Sequence, residues 1–145
     1  MLYNENEVNA MLLDEQIEGI KSVLIPELSP YFIILFGSTV VDRERKSSDI
    51  DLAFLGLESK SAYELFMIGQ KIASLLDREV DLIDLNQAST VMQMQIIHHG
   101  KILYCSDEKK RIEFEMKVYK MYARLNEERK VILDRIKESG EVYGK

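Results

Sequence analysis

The chain has 145 residues, room for one domain that buries roughly two thirds of the surface its unfolded form exposes. Apolar residues make up 46% and charged residues 30%, a globular composition that excludes a fibrous or disordered chain. A net charge of -6 repels phosphate backbones and argues against polymeric nucleic acid as the main ligand, but not against a nucleotide carried with divalent cations. The lone Cys105 has no internal disulfide partner, no apolar signal region follows Met1, and the longest apolar run, Tyr31 to Phe36, is too short to cross a bilayer. A reducing cytoplasm is the expected compartment.

The first 30 residues read as helix, with Val8, Met11, Leu12, Ile17, Ile20, Val23 and Leu24 apolar among acids and with Pro26 and Pro30 closing the segment. Tyr31 to Phe36 is an unbroken apolar run followed by Gly37, as expected of a strand buried on both faces. A short helix is expected over Thr39 to Asp42. Ile50 to Leu55 is a second strand, opened by Asp49. Lys60 to Leu76 places Ala62, Leu65, Ile68, Ile72 and Leu75 at helical spacing, with Ser59 or Ser61 available as N-cap. Glu79 to Leu85 reads as a third strand, Ala88 to His98 as a helix ended by Gly100, and Lys101 to Tyr104 as a short strand at the sheet edge. From Ser106 to about Ser139 the pattern is helical.

The informative segment is Gly37-Ser38, ten residues, then Asp49-Ile50-Asp51. Side chains two apart on a strand share a face, so Asp49 and Asp51 present paired carboxylates while Ile50 and Leu52 face the core. Two like charges that close need a cation between them. Carboxylate oxygens suit Mg²⁺, and a pair of such ions roughly 3.5–4 Å apart clamps the attacking and leaving oxygens of an in-line displacement. Gly37 allows close backbone approach to a phosphate, and Ser38 adds a hydroxyl and an N–H at a helix start. The intervening stretch is basic, with Arg43, Arg45 and Lys46 ahead of Ser47 and Ser48. Its cations serve phosphate binding and plain solubility equally well, and Ser48 is a further nucleotide-binding candidate. A third carboxylate is to be sought on the strand around Asp81 and Asp84, which lie on opposite faces. Asp81, between Val80 and Leu82, fits the pattern better, and Asp84 suits a strand-end or cap role.

Gly-Ser, ten residues, Asp-x-Asp and then a Val-Asp-Leu strand resemble the minimal nucleotidyltransferase family of the DNA-polymerase-β-like superfamily, over about Tyr31 to Tyr104. Within it the chain is similar to the antitoxins that accompany HEPN-domain toxins. The resemblance implies an α/β (α+β) nucleotidyltransferase fold, a small mixed sheet of about four strands flanked by helices. All of 1–145 would form one domain, its core at about 31–104 and a helical segment at about 106–139. It implies that Gly37 and Ser38 contact phosphate, that Asp49 and Asp51 bind two Mg²⁺ ions, and that Asp81 binds one of them and accepts the proton of the attacking hydroxyl. Relatives often carry a small residue and a glycine soon after Gly-Ser, where this chain has Val40 and Asp42. The activity implied is transfer of AMP from ATP to a tyrosine hydroxyl of a cognate HEPN-type RNase toxin, which blocks the toxin with bulk and charge.

Other residues read more plainly. His98 and His99 are neighbours at a helix end, where they favour the C-terminal dipole over a shared metal. Cys105 has no ligand partner at zinc spacing and is expected to be structural. Arg111 to Leu125 is apolar over more than half its circumference, through Ile112, Phe114, Met116, Val118, Tyr119, Met121, Tyr122 and Leu125. That width fits a helix touching its own sheet on one side and a partner on the other, with Ile112, Phe114, Tyr119 and Tyr122 as contacts. Two alternatives stand beside the adenylyltransferase: a binding-only antitoxin of the same fold, and a nucleotidyltransferase acting on a small-molecule hydroxyl. The second is disfavoured because no residues remain for an acceptor-binding domain.

Overall fold

A computed structural model describes Leu12 and residues 14–37 and 49–142, with side chains to residue 139. Ser38, Ser48, the basic stretch between them and the expected Thr39–Asp42 helix lie outside the described residues, as do Val8 and Met11.

Helix α1 spans Asp14–Leu28 and carries Asp14 and Glu15 in its first turn, where acids complement the helix dipole. Its buried face is Ile17, Ile20, Leu24 and Leu28. Pro26 was expected to close the segment and instead lies inside the helix. In the last turn a missing N–H removes a single bond, and burial of Leu24 and Leu28 on either side, worth about 1.5–3 kcal/mol each, outweighs it. The helix ends at Ser29, whose left-handed φ of 42° lets its N–H close on Ile25 O at 2.9 Å, ahead of Pro30.

Four strands follow: β1 (Phe32–Phe36), β2 (Ile50–Leu55), β3 (Val80–Asp84) and β4 (Lys101–Cys105). They form one mixed sheet in the order β3-β2-β1-β4, so β3 and β4 are its edges. β1 pairs antiparallel with β2 and with β4, whereas β2 and β3 are parallel. The parallel step requires a crossover, supplied by α2 (Ala62–Leu76). Of the two candidate caps, Ser61 starts α2: its side chain accepts from Glu64 N while Glu64 reaches back to the Ser61 N–H, a complete capping box. After β3 the chain makes a 3-10 turn at Leu85–Gln87, then α3 (Thr90–His99), which is capped by Ser89 and ends at Gly100.

The sheet separates two cores. On one face Ile33, Leu35, Ile50, Leu52 and Phe54 pack with Ile17, Ile20 and Leu24 of α1 and with Leu65, Ile68 and Ile72 of α2. On the other, Phe32, Ile34, Ala53, Leu55 and Ile102 pack with Ile96 and Ile97 of α3 and with Phe114 and Val118 of α4 (Glu108–Val142). Phe114 meets Phe32 with ring centroids 5.9 Å apart. Arg111 is buried at the start of α4 and is held by Glu108 at 2.6 Å and Glu115 at 2.9 Å. Burial pulls the Arg111 guanidinium down, but its bonds to the two carboxylates outweigh that and hold it above its ordinary range. Beyond Leu125 the described side chains of this 35-residue helix are all exposed.

Candidate active site

Strand alternation distributes the acids. On β2, Ile50, Leu52 and Phe54 face α1 and α2, which leaves Asp51 on the face of Ala53 and Leu55, toward α3 and α4. Asp49 immediately precedes the strand and is exposed, and Asp51 is half-buried. In the parallel β2–β3 pair Asp51 is the register partner of Asp81, so the two carboxylates stand on neighbouring strands and on the same face. Asp81 is exposed and shares its side of β3 with Ile83.

Asp84 falls on the opposite face. It is buried, its Oδ1 caps the 3-10 turn by accepting from Asn86 N at 2.9 Å, and its Oδ2 has no hydrogen-bond partner among the described residues. The cap role expected of Asp84 is the one it has.

Gly37 follows β1 with φ of +78°, a conformation that L side chains rarely adopt. A Cβ built there would collide with the Asp51 carboxylate. The glycine also clears room for Asp51, because Phe36 is the register partner of Asp51 and the chain turns directly past its side chain.

A neighbour that the motif does not contain is Arg78, which sits between the left-handed C-cap Asp77 and the start of β3. The bond from Ile50 N to Glu79 O, 2.9 Å, ties this entry to the start of β2. Burial pulls the Arg78 guanidinium below its ordinary range, and the charge of Asp49 acts against that. The only signal in the sequence was a cation just ahead of β3. Its nearness to Asp49 is a product of the parallel register.

The donors are all carboxylate oxygens, which suits a hard ion such as Mg²⁺. Among the described residues, however, no three acidic, histidine or cysteine side chains are yet gathered as a ligand set. Asp49, Asp51 and Asp81 occupy adjoining positions, and an ion would have to draw the three together. His98 and His99 lie exposed in the last turn of α3, stacked edge-to-face on each other at 4.7 Å. Burial and a bond to Glu108 push the Cys105 thiol up, which suits an inert residue.

On α4, Ile112 and Tyr119 are exposed and Tyr122 is half-buried, whereas Phe114 points into the core. Phe114 was expected among the partner contacts and is corrected to a core residue: the sequence showed it apolar, and only the packing against Phe32 shows which side it faces.

Paired carboxylates on adjacent strands behind a glycine turn define a nucleotidyltransferase, and residues 18–109 match the family described as Polymerase beta, Nucleotidyltransferase; the chain belongs to it. Within that family it is similar to the Protein adenylyltransferase MntA of Shewanella oneidensis, at 36% identity over 131 residues, 90% of this chain and 86% of that protein. A solved structure of a tri-AMPylated Shewanella oneidensis HEPN toxin in complex with its MNT antitoxin matches with TM-score 0.70 and 33% identity, over 83% of this chain and 95% of that one. A toxin–antitoxin structure with AMP-PNP matches with TM-score 0.71 and 35% identity, over 86% and 98%. No described helix is long and apolar enough to cross a membrane.

Proposed function

We propose that this protein is an Mg²⁺-dependent adenylyltransferase antitoxin of the cytoplasm, which transfers AMP from ATP to a tyrosine hydroxyl of a HEPN-type RNase partner. The observation that carries the reading is the register pair Asp51–Asp81, with Asp49 two residues before Asp51. The relatives, an adenylyltransferase and antitoxin structures with an AMPylated toxin and with AMP-PNP, support both the nucleotide and the acceptor.

In this reading Asp49 and Asp51 hold two Mg²⁺ ions and Asp81 holds one of them. When bound, the ions neutralise triphosphate charge. Gly37 and Ser38, with Ser48, hold the phosphates. Asp81 takes the phenolic proton, the phenolate oxygen bonds to the α-phosphorus, and the bond from that phosphorus to the pyrophosphate oxygen breaks. The separation of Asp84 from this face supports Asp81 as the base.

A second reading is an antitoxin that neutralises by binding alone, favoured by Ile112, Met116 and Tyr119, which leave an apolar stripe exposed on α4. Intact-mass spectrometry of a HEPN partner incubated with this protein, ATP and Mg²⁺ decides between them. A gain of one or more AMP units, absent with the Asp49→Ala plus Asp51→Ala double variant, is expected. A stable complex with no mass gain would leave binding alone as the function.

A further inference from the structure

β3 is an edge strand. Its inner side is paired with β2, and among the described residues no turn or loop hydrogen bond reaches its outer side. Folded proteins usually blunt such an edge with proline, lysine, a bulge or a covering segment, because unpaired N–H and C=O groups invite another strand. Val80–Asp84 has no proline, lysine or bulge, and its only charges are Asp81, on the carboxylate face, and the buried Asp84.

The surface beside this edge is concave. Between β3 and α2 lies a groove of about 290 Å³ with a mixed lining, apolar at Leu65, Phe66, Val80 and Leu82 and polar at Asp81 and Gln87. Phe66 of this lining is 61% exposed, and Tyr63 and Met67, at helical spacing from it on α2, are 71% and 44% exposed. A groove with apolar walls beside a strand edge left unpaired among the described residues is the arrangement used to accept an extended peptide. Main-chain bonds give the affinity, and a pocket for alternate side chains gives the selectivity.

What singles out the occupant is Asp81, which is the second residue of the same strand and also borders this groove. Its side chain belongs to the α3 and α4 face, while Val80 and Leu82 on either side of it face α2. A strand added to β3 lies about 4.8 Å away and obeys the same alternation. The residue opposite Asp81 then projects on the carboxylate face, and the residues before and after it project into the groove. An edge unpaired among the described residues, a groove with apolar walls and a candidate proton acceptor are thus aligned on a single five-residue strand.

We propose that the acceptor is received as an added β-strand on the outer edge of β3, with its tyrosine beside Asp81 and a flanking apolar side chain in the groove against Phe66. This rests on the adenylyltransferase reading for the identity of the tyrosine, though not for the docking of the strand. It assigns a specificity role to α2, which carries none of the motif residues: an acceptor tyrosine needs an apolar neighbour and an extended backbone.

The test combines hydrogen exchange with kinetics, using the full chain and a HEPN partner. On mixing, the outward amides of Val80–Asp84 should exchange at least tenfold more slowly. Ala62→Trp, which fills the groove from the exposed start of α2, should abolish that slowing and raise the KM for the partner at least tenfold, with the Kd for ATP unchanged. Phe66→Ser, at an exposed position that requires no extra room, should act in the same direction. AMP transfer without any slowing at β3, or an unchanged partner KM in both variants, would overturn strand docking while leaving the enzyme reading standing. Slowing at β3 without AMP transfer by the wild type would support strand docking and defeat the enzyme reading.

Discussion

The two faces of β2 are built from the same six residues and serve opposite ends. Ile50, Leu52 and Phe54 are fully buried against α1 and α2, and that face is apolar from end to end. The other face is apolar only at Ala53 and Leu55, then changes to Asp51 beside Asp81 where the helices no longer cover it. The buried core and the proposed site are therefore one residue apart in sequence and on opposite faces of the sheet. Substitutions at neighbouring positions should separate stability from chemistry.

The largest expected effect is on the carboxylate face. Asp51→Ala removes a charge that two ions would share, and AMP transfer should fall on the order of 10³-fold, from a loss of several kcal/mol at 1.4 kcal/mol per tenfold. Its melting temperature should change far less than for a core truncation, since Asp51 is half-buried and belongs to neither apolar core. Calorimetry beside a transfer assay checks both halves, and a variant that loses activity only by unfolding would collapse the distinction between the faces.

One residue on, Leu52→Ala should do the reverse. Truncating a fully buried leucine costs about 2–5 kcal/mol through lost transfer and the cavity left behind. Denaturant titration should show that loss, with activity per folded molecule retained. A much smaller loss would mean that the face against α1 and α2 relaxes around the gap.

These assignments also show what the sequence could and could not convey. The span of β2 was readable to the residue, because Asp49 and Gly56 bound a largely apolar run, and alternation separated Asp81 from Asp84, which do lie on opposite faces. Contacts across register were hidden. Nothing within a few residues of Gly37 indicates that Asp51 lies against it, since only the β1–β2 pairing brings Phe36 opposite Asp51. Arg78 was missed for the same reason. Phe114 was misplaced because a helix apolar over more than half its surface does not declare its inner side, and Pro26 because a breaker was weighed without the packing of Leu24 and Leu28 around it.

Gly37→Ala links the two faces and should have an intermediate effect. The left-handed backbone alone costs roughly 1–2 kcal/mol for a residue with a Cβ. The methyl group must also displace the Asp51 carboxylate. Stability and AMP transfer should fall together in this variant, unlike in Asp51→Ala. Transfer that survives at the wild-type rate would show that Asp51 tolerates displacement, and that the glycine serves the turn only.

The smallest effect lies away from both faces, in the cap of α2. The Glu64 carboxyl is held below its usual value of 4.5, first by the Ser61 backbone N–H and then by the Ser61 hydroxyl. A group whose pKa is depressed on folding contributes stability above its unfolded pKa and loses it as pH falls through the folded one. Wild type should therefore melt slightly higher than Glu64→Gln at neutral pH, with the gap narrowing as the pH drops below about 4.5. Ser61→Ala removes the hydroxyl but keeps the backbone donor that contributes most, so it should retain most of this pH dependence while lowering the melting temperature at every pH. If the two variants instead behaved alike across the range, the hydroxyl and not the backbone N–H would be the main partner of Glu64. The entry to α2, and with it the position of Ala62 and the groove beside β3, would then rest on a single side-chain contact.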